Sequence, residues 1–202
     1  MPRKAEAKKR TTDIMFIYPH IYRKLKRGPQ VILPKDIGII ISYSGVNSES
    51  VCIDAGTGSG WLSLSMAMVA KHVYSYEIRE DFIAIAERNR QTLGIKNITF
   101  RHQDACQKIE EKNADIMTID MPNAERALAN ASGALKKGGI VVGYLPHTEQ
   151  VAAFVEGLNG TGFSDAYTVE VIVREMLVRK EGIRPANMGL MHTAYLTFAR
   201  KI

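Results

Sequence analysis

The 202-residue chain is 46% hydrophobic, has a formal net charge of +6 and contains two cysteines, which is enough apolar material for one sizeable core. No apolar run approaches the roughly 18 residues of a membrane span, the basic start is not followed by a long apolar signal segment, and neither repeats nor low-complexity tracts interrupt the chain. The expectation is one cytoplasmic α/β domain with reduced, largely buried Cys52 and Cys106 and, since the five histidines lack paired ligand spacing, no metal.

The charge is concentrated at the amino terminus. Residues 1–27 carry nine Lys or Arg against Glu6 and Asp13, a net +7, whereas residues 28–202 come to −1. Tyr18, His20 and Tyr22 interleave with these cations, a composition suited to phosphate contact with base stacking. Arg23, Lys24, Lys26 and Arg27 are the candidate substrate contacts, and a solvated leader is the plain alternative. The division expected is a basic arm over 1–27 and an enzyme domain over 28–202.

A loop and a helix are expected over Gly28 to Tyr43. The apolar run Ser50-Val51-Cys52-Ile53 then meets Asp54-Ala55-Gly56-Thr57-Gly58-Ser59-Gly60 and continues into Trp61-Leu62-Ser63-Leu64, a strand turning through small residues into a helix. Glycines let a backbone approach a ligand closely, and a helix start offers unpaired N–H groups, so this turn suits a nucleoside cofactor. Val73 to Glu77 is a second strand ending in an acid about twenty residues on, where a doubly wound sheet holds a ribose diol. Phe82, Ile85, Ala86 and Leu93 mark the core face of the next helix, which ends before Gly94.

Ile98 to Asp104 and Ala114 to Asp120 are two more strands ending in acids. Four strands thus finish in Asp54, Glu77, Asp104 and Asp120, and ligands of open parallel sheets bind outside the carboxyl ends of the strands. A dinucleotide needs the wider Gly-x-Gly-x-x-Gly turn, and an acid beside the loop repels a pyrophosphate. It suits the ammonium of a methionine moiety instead, and Asp104 is placed to accept from an adenine amine. The cofactor expected is S-adenosyl-L-methionine. Lys136-Lys137-Gly138-Gly139 is a turn into a fifth strand, Ile140 to Leu145, followed by Pro146-His147-Thr148. Finally, Tyr167 to Val178 and His192 to Ala199 read as an antiparallel hairpin, since no crossover helix fits between them.

Arg27-Gly28-Pro29-Gln30-Val31-Ile32-Leu33-Pro34-Lys35-Asp36, Ala55 to Gly60, Tyr74 to Phe82, Tyr144-Leu145-Pro146 and His192 to Lys201 together resemble the tRNA (adenine-58-N1)-methyltransferases. The glycine loop is common to many methyltransferases. The Gln-Val-Ile-Leu-Pro-Lys-Asp segment and the carboxyl-terminal strand are far more specific, and the resemblance covers about residues 27–202. It implies a Rossmann-like class I methyltransferase fold, with a mostly parallel seven-stranded sheet, a carboxyl-terminal antiparallel hairpin and helices on both faces. It also implies N1 of an adenine in the tRNA T-loop as acceptor, at position 58 and in some members 57, and a homo-oligomer, a tetramer in the family.

The cofactor set expected from the motifs and the resemblance is Gln30, Ile32, Asp54, Gly56, Thr57, Gly58, Ser59, Gly60, Trp61, Glu77, Asp104, Ala105 and Asp120. Asp120 is the catalytic candidate: adenine N1 already bears a lone pair, so the reaction needs positioning, and a carboxylate accepting from the exocyclic amine offsets the charge the ring gains. Tyr144 and His147 are candidates to line the pocket of a flipped base, with packing and a turn as the plainer readings. Two departures from the family pattern stand out. Only 27 residues precede the specific segment, too few for the small β-rich domain found there in relatives, and Asp120-Met121-Pro122-Asn123-Ala124-Glu125 replaces the common Asp-Leu-Pro-Asp-Pro-Trp, keeping the first acid and losing the aromatic. Three alternatives stay open: a small-molecule (corrinoid precursor) methyltransferase, a non-catalytic tRNA-binding subunit and a protein-carboxyl methyltransferase.

Overall fold

A computed structural model describes residues 19–28, 30–186 and 192–202. Tyr18 and the cations Arg3, Lys4, Lys8, Lys9 and Arg10 lie outside the described residues. The elements run α1 (His20–Arg23), α2 (Pro34–Tyr43), β1 (Val51–Ala55), α3 (Trp61–Ala67), β2 (His72–Glu77), α4 (Glu80–Leu93), β3 (Ile98–His102) and β4 (Ala114–Ile119). A 3-10 turn (Ala124–Ala127) follows, then α5 (Leu128–Ala134), β5 (Leu135–Leu145), α6 (Thr148–Leu158), β6 (Phe163–Glu170), β7 (Met176–Arg179), β8 (Gly182–Pro185) and β9 (Tyr195–Lys201).

Seven strands form one sheet in the order β3-β2-β1-β4-β5-β9-β6, with β1 to β5 mutually parallel and β9 antiparallel to both its neighbours. The chain steps outward from β1 through β2 to β3, then returns to lay β4 on the other side of β1. The carboxyl ends of β1 and β4 therefore flank the switch point at which such sheets open a crevice.

Alternation along the strands divides the core into two layers. Cys52, Val73, Ile116, Val142 and Phe198 face the layer that holds Ile37 and Ile40 of α2 and Leu62 and Leu64 of α3. Ile53, Tyr76, Met117, Ile119 and Val141 face the opposite layer, packed with Leu128 and Ala131 of α5 and Phe154 and Leu158 of α6. Such continuous apolar strands are what a sheet covered on both faces requires.

Three boundaries differ from those expected. The Lys136 to Gly139 turn lies within β5, because Leu135 already pairs with Ala114 and the ladder resumes only at Ile140 opposite Ile116. Secondly, the strand expected over Tyr167 to Val178 spans Phe163–Glu170, with a register shift between Ser164 and Tyr167 where Asp165 adopts φ 55°. It stops there because its sheet partner, β9, begins opposite at Tyr195. The β-branched run beyond it leads instead into a separate two-stranded ribbon, β7 with β8, whose Leu177 pairs with Arg184. Lastly, the folded body starts ahead of Gly28. Tyr22 and Leu25 are buried, and the Tyr22 ring packs against Trp61 at 5.2 Å while its hydroxyl bonds Ser65 at 2.7 Å. An aromatic and a leucine spaced three apart among cations thus serve as the anchor of the arm.

Candidate active site

The loop after β1 sits against the start of the segment after β4. Gly56, Gly58 and Gly60 adopt φ of 98°, 53° and 81°, dihedrals that L side chains resist. At Gly56 the requirement is also steric, since a Cβ would lie 1.9 Å from the Asp120 carbonyl oxygen. The Asp120 N–H donates to the Ala55 carbonyl at 2.8 Å, carrying the β1–β4 ladder one step past its last pair. Gln30, Val31, Ile32, Gly56, Thr57, Gly58, Ser59, Trp61, Leu62 and Asp120 together line a narrow cleft. Most of the expected cofactor set therefore meets at the switch point. A wider cavity of about 410 Å³, lined by Tyr43, Asp115, Lys136 and Arg200 among others, opens at the amino ends of β1, β4 and β5, away from these groups.

The four strand-end acids are placed differently. Glu77 is buried beside the loop, its Oε2 accepting from the Gly58 N–H at 2.9 Å and its Oε1 from the N–H groups of Ile78 and Arg79 at 3.0 Å each. Asp120 is half-buried at the cleft, and its carboxyl is raised to about 7 by burial, by Asp54 and by Glu77. Asp54, also expected in the ligand set, is almost fully buried in the sheet. It does not present its carboxylate to the cleft: its Oδ2 accepts from Ser75 Oγ at 2.8 Å and its Oδ1 from Thr118 Oγ1 at 2.7 Å. The register explains this, because Ser75 on β2 and Thr118 on β4 are its direct cross-strand partners, so three polar side chains form one row on the face under α3. Burial drives Asp54 up to about 6 despite those two hydrogen bonds. Asp104 sits two strands away, where its Oδ1 accepts from the Cys106 N–H at 2.8 Å and shapes the turn that buries Ala105.

Of the pocket candidates, Tyr144 is buried, and its hydroxyl feels the charge of both Asp36 and Asp120. Since Ile119 pairs with Gly143, the next residues, Asp120 and Tyr144, stand side by side on one face. His147 instead occupies the N-cap of α6, exposed, with its N–H donating to Gln150 Oε1 at 3.0 Å, so the turn reading applies there.

Asn89 is a buried residue at the glycine loop that the sequence reading did not single out. Its side chain donates to the Ser59 carbonyl at 2.9 Å and the Lys26 carbonyl at 2.8 Å, and it accepts from the Lys26 N–H at 2.7 Å. Trp61 Nε1 also donates to the Lys26 carbonyl at 3.3 Å. The end of the basic arm is thereby stitched to the glycine loop, with the side chains of Lys24, Lys26 and Arg27 exposed beside it. The signal for it in the sequence was periodicity, for Asn89 lies on the same helical face as Phe82, Ala86 and Leu93, and a buried amide there requires partners.

A cleft at a switch point, with a backbone approach only glycine permits and three carboxylates sharing one field, suits a nucleoside carrying positive charge and repels a pyrophosphate. Fold and site together define a class I methyltransferase. The model of the tRNA methyltransferase complex GCD14 subunit family matches residues 15–192, and the chain belongs to that family. It is 34% identical to the tRNA (adenine(57)-N(1)/adenine(58)-N(1))-methyltransferase TrmI of Methanocaldococcus jannaschii, over 89% of this chain and 74% of that protein. Among solved structures, tRNA (m1A58) methyltransferase TrmI from Aquifex aeolicus superposes with a TM-score of 0.85 at 29% identity, covering 90% of this chain and 74% of that one. A Thermotoga maritima protein described as a SAM-dependent O-methyltransferase superposes at 0.86 and 29% identity, over 91% and 72%.

Proposed function

We propose that this protein is an S-adenosylmethionine-dependent tRNA methyltransferase acting on N1 of adenine in the T-loop, at position 58 and, as the name of the M. jannaschii relative suggests, also at 57. The observation that carries this reading is Asp120, a carboxylate at the switch point beside the glycine loop, in a chain whose family match spans most of its length. When bound, S-adenosylmethionine supplies an electrophilic methyl group on a sulfonium, which an unprotonated adenine N1 takes with its own lone pair. The residues of this chain then have three tasks. Gly56 and Gly58 let the backbone approach the cofactor, and Glu77, held between loop and strand end, is the acid nearest to hand for the ribose diol. Asp120 accepts from the exocyclic amine, fixing the base and offsetting the positive charge that grows on it. Tyr144 walls the base pocket beside Asp120.

Because N1 lies on the Watson–Crick edge, the base must enter flipped or single-stranded. Lys24, Lys26 and Arg27, set beside the loop, supply phosphate contacts at the cleft. The corrinoid and other small-molecule readings are not favoured, since neither the cationic segment nor the family match follows from them. An RNA-directed activity also fits a cytoplasmic enzyme, and no described helix is long and apolar enough to cross a membrane.

Self-association is part of the same reading. The β7–β8 ribbon leaves Val178 74% and Ile183 67% exposed, with Met176, Ile172 and Val173 close behind, an apolar surface fit for a second copy. Replacing Val178 and Ile183 with Lys should reduce the mass measured by light scattering to that of one chain, and an unchanged mass would remove the ribbon from the interface.

The test of function is methyl transfer from labelled cofactor to an unmodified tRNA transcript, to protein and to small metabolites, followed by nucleoside analysis. The expected product is 1-methyladenosine at the T-loop. Label recovered only in protein or metabolites would overturn the reading.

A further inference from the structure

The turn after β3 is held from two sides. On one side the register that pairs Glu77 with His102 runs on into it, for the Gln103 N–H donates to the Glu77 carbonyl at 3.1 Å. Within the turn the Asp104 carbonyl accepts from the N–H groups of Gln107 and Lys108 at 3.0 and 3.2 Å, and Asp104 Oδ1 accepts from the Cys106 N–H at 2.8 Å. This is one helical turn that does not continue, so the carbonyls of Ala105 and Cys106 receive no backbone N–H, as at any helix end. Ala105 is buried, which makes an unmet carbonyl there costly.

On the other side Asn130 meets both carbonyls. Its Nδ2 donates to the Ala105 carbonyl at 2.8 Å and to the Cys106 carbonyl at 2.9 Å, spending the two protons of one amide on two successive peptides. Asn130 lies on α5, whose Leu128, Ala131 and Ala134 are buried in the same layer as Ala105 and Ile109, so the amide is carried by a helix already packed beside the turn. That helix is also the one into which the segment after Asp120 runs, through the 3-10 turn.

With its carbonyls tied back to α5, the turn is left with the Ala105 N–H and Asp104 Oδ2, neither of which has a hydrogen-bond partner among the described residues. A donor beside an acceptor matches N1 and the exocyclic amine of adenine. It mismatches a 6-oxopurine, whose N1 carries a proton and whose C6 carries an acceptor. We propose that Asn130 is a positioning residue for the methyl donor: by fixing the carbonyls of Ala105 and Cys106 it keeps the Ala105 N–H and the Asp104 carboxylate at the spacing that selects adenine. The proposal rests on the reading of the cleft as an S-adenosylmethionine site with the ribose at Glu77.

The experiment measures by calorimetry the affinities of the wild type, Asn130→Ala and Asn130→Asp for S-adenosylhomocysteine and for S-inosylhomocysteine, which differ only at N1 and C6 of the purine, with thermal melting alongside. The wild type should favour the adenine compound by about tenfold or more. Asn130→Ala should weaken binding of S-adenosylhomocysteine about tenfold, the worth of one well-made hydrogen bond to the base, and leave S-inosylhomocysteine within about threefold, so that the selectivity falls. Asn130→Asp, of the same size but as a carboxylate without a proton to donate, should act in the same way, and it decides the matter if the alanine variant does not fold. Equal losses for the two compounds, as a merely loosened fold would give, would overturn the proposal, and so would equal wild-type affinities for them. Failure of the wild type to bind either compound would instead remove the cofactor reading.

Discussion

Asp120 and Asp54 share one field but have separate duties. Asp120 is at the cleft, where ionisation is resisted by burial and by two neighbouring acids, so a positively charged partner is what it lacks. Asp120→Ala should lower kcat by about 10²–10³, the usual cost of one preorganised electrostatic contact, while calorimetric cofactor affinity changes only a few-fold. Activity equal to wild type on tRNA would remove Asp120 from the chemistry. Asp54 makes a stability prediction instead. Its folded carboxyl titrates at about 6 against an ordinary 3.8, so the fold holds that proton more tightly than the unfolded chain does. The associated stabilisation is complete below 3.8 and is lost as pH rises through 6. Asp54→Asn should therefore be more stable than wild type at about pH 7.5, by at most on the order of 2–3 kcal/mol, and should lose that advantage near pH ~4. Urea denaturation at the two pH values measures it, and an asparagine variant that is less stable at the higher pH would show that the bonds from Ser75 and Thr118 outweigh burial.

The glycine loop at the end of β1 was legible in the sequence as a pattern, but its three glycines are not equivalent. A Cβ on Gly56 collides with the Asp120 backbone, which is itself fixed by the ladder to Ala55, whereas a Cβ on Gly58 meets nothing within 4 Å. Gly56→Ala should abolish cofactor binding or folding outright. Gly58→Ala should cost only the left-handed strain, about 1–2 kcal/mol, and retain a cooperative melt. Thermal unfolding of both variants checks this, and similar melting temperatures would refute the distinction. The β-branched run from Val169 to Val173 shows where sequence pattern stops at this scale. It favours a strand throughout, yet only the part facing β9 joins the sheet, because a strand persists only where a partner offers hydrogen bonds.

For the molecule as a whole, the arm and the enzyme body are one unit at their junction. Tyr22 and Leu25 are core residues and Lys26 is clamped by Asn89, so cutting the chain at residue 26 would remove anchors along with charge. Neutralising Lys24, Lys26 and Arg27 with Gln tests the charge alone. Binding of tRNA should weaken, and the slope of log K against log salt should flatten by roughly 0.7–0.9 for each phosphate no longer neutralised, with cofactor affinity unchanged. A salt slope identical to wild type in filter binding would mean that these cations only face water.

The succession of strands and helices, the glycine turn and the acids ending β2 and β4 were legible in the sequence alone because each is written locally, as an apolar run, small residues after a strand or an acid at its end, and the family was legible through its longer segments, Gln30 to Asp36 and His192 to Lys201. What the tertiary structure decided is which of those groups face one another. Asp54 and Glu77 look alike in sequence, each an acid at the carboxyl end of a strand. Only the strand register puts Ser75 and Thr118 on either side of Asp54 and draws it beneath the sheet face, leaving Glu77 at the loop. Lys35 and Asp36 likewise stood in the sequence only as the end of the Gln30 to Asp36 segment, and Thr193 only as part of the stretch His192 to Lys201. Lys35 Nζ donates to Asp36 Oδ1 at 2.8 Å and to Thr193 Oγ1 at 2.7 Å, and Thr193 Oγ1 donates to Asp36 Oδ2 at 2.8 Å, because the fold closes more than 150 residues of chain separation over the buried Asp36, a contact on which local pattern carries no information.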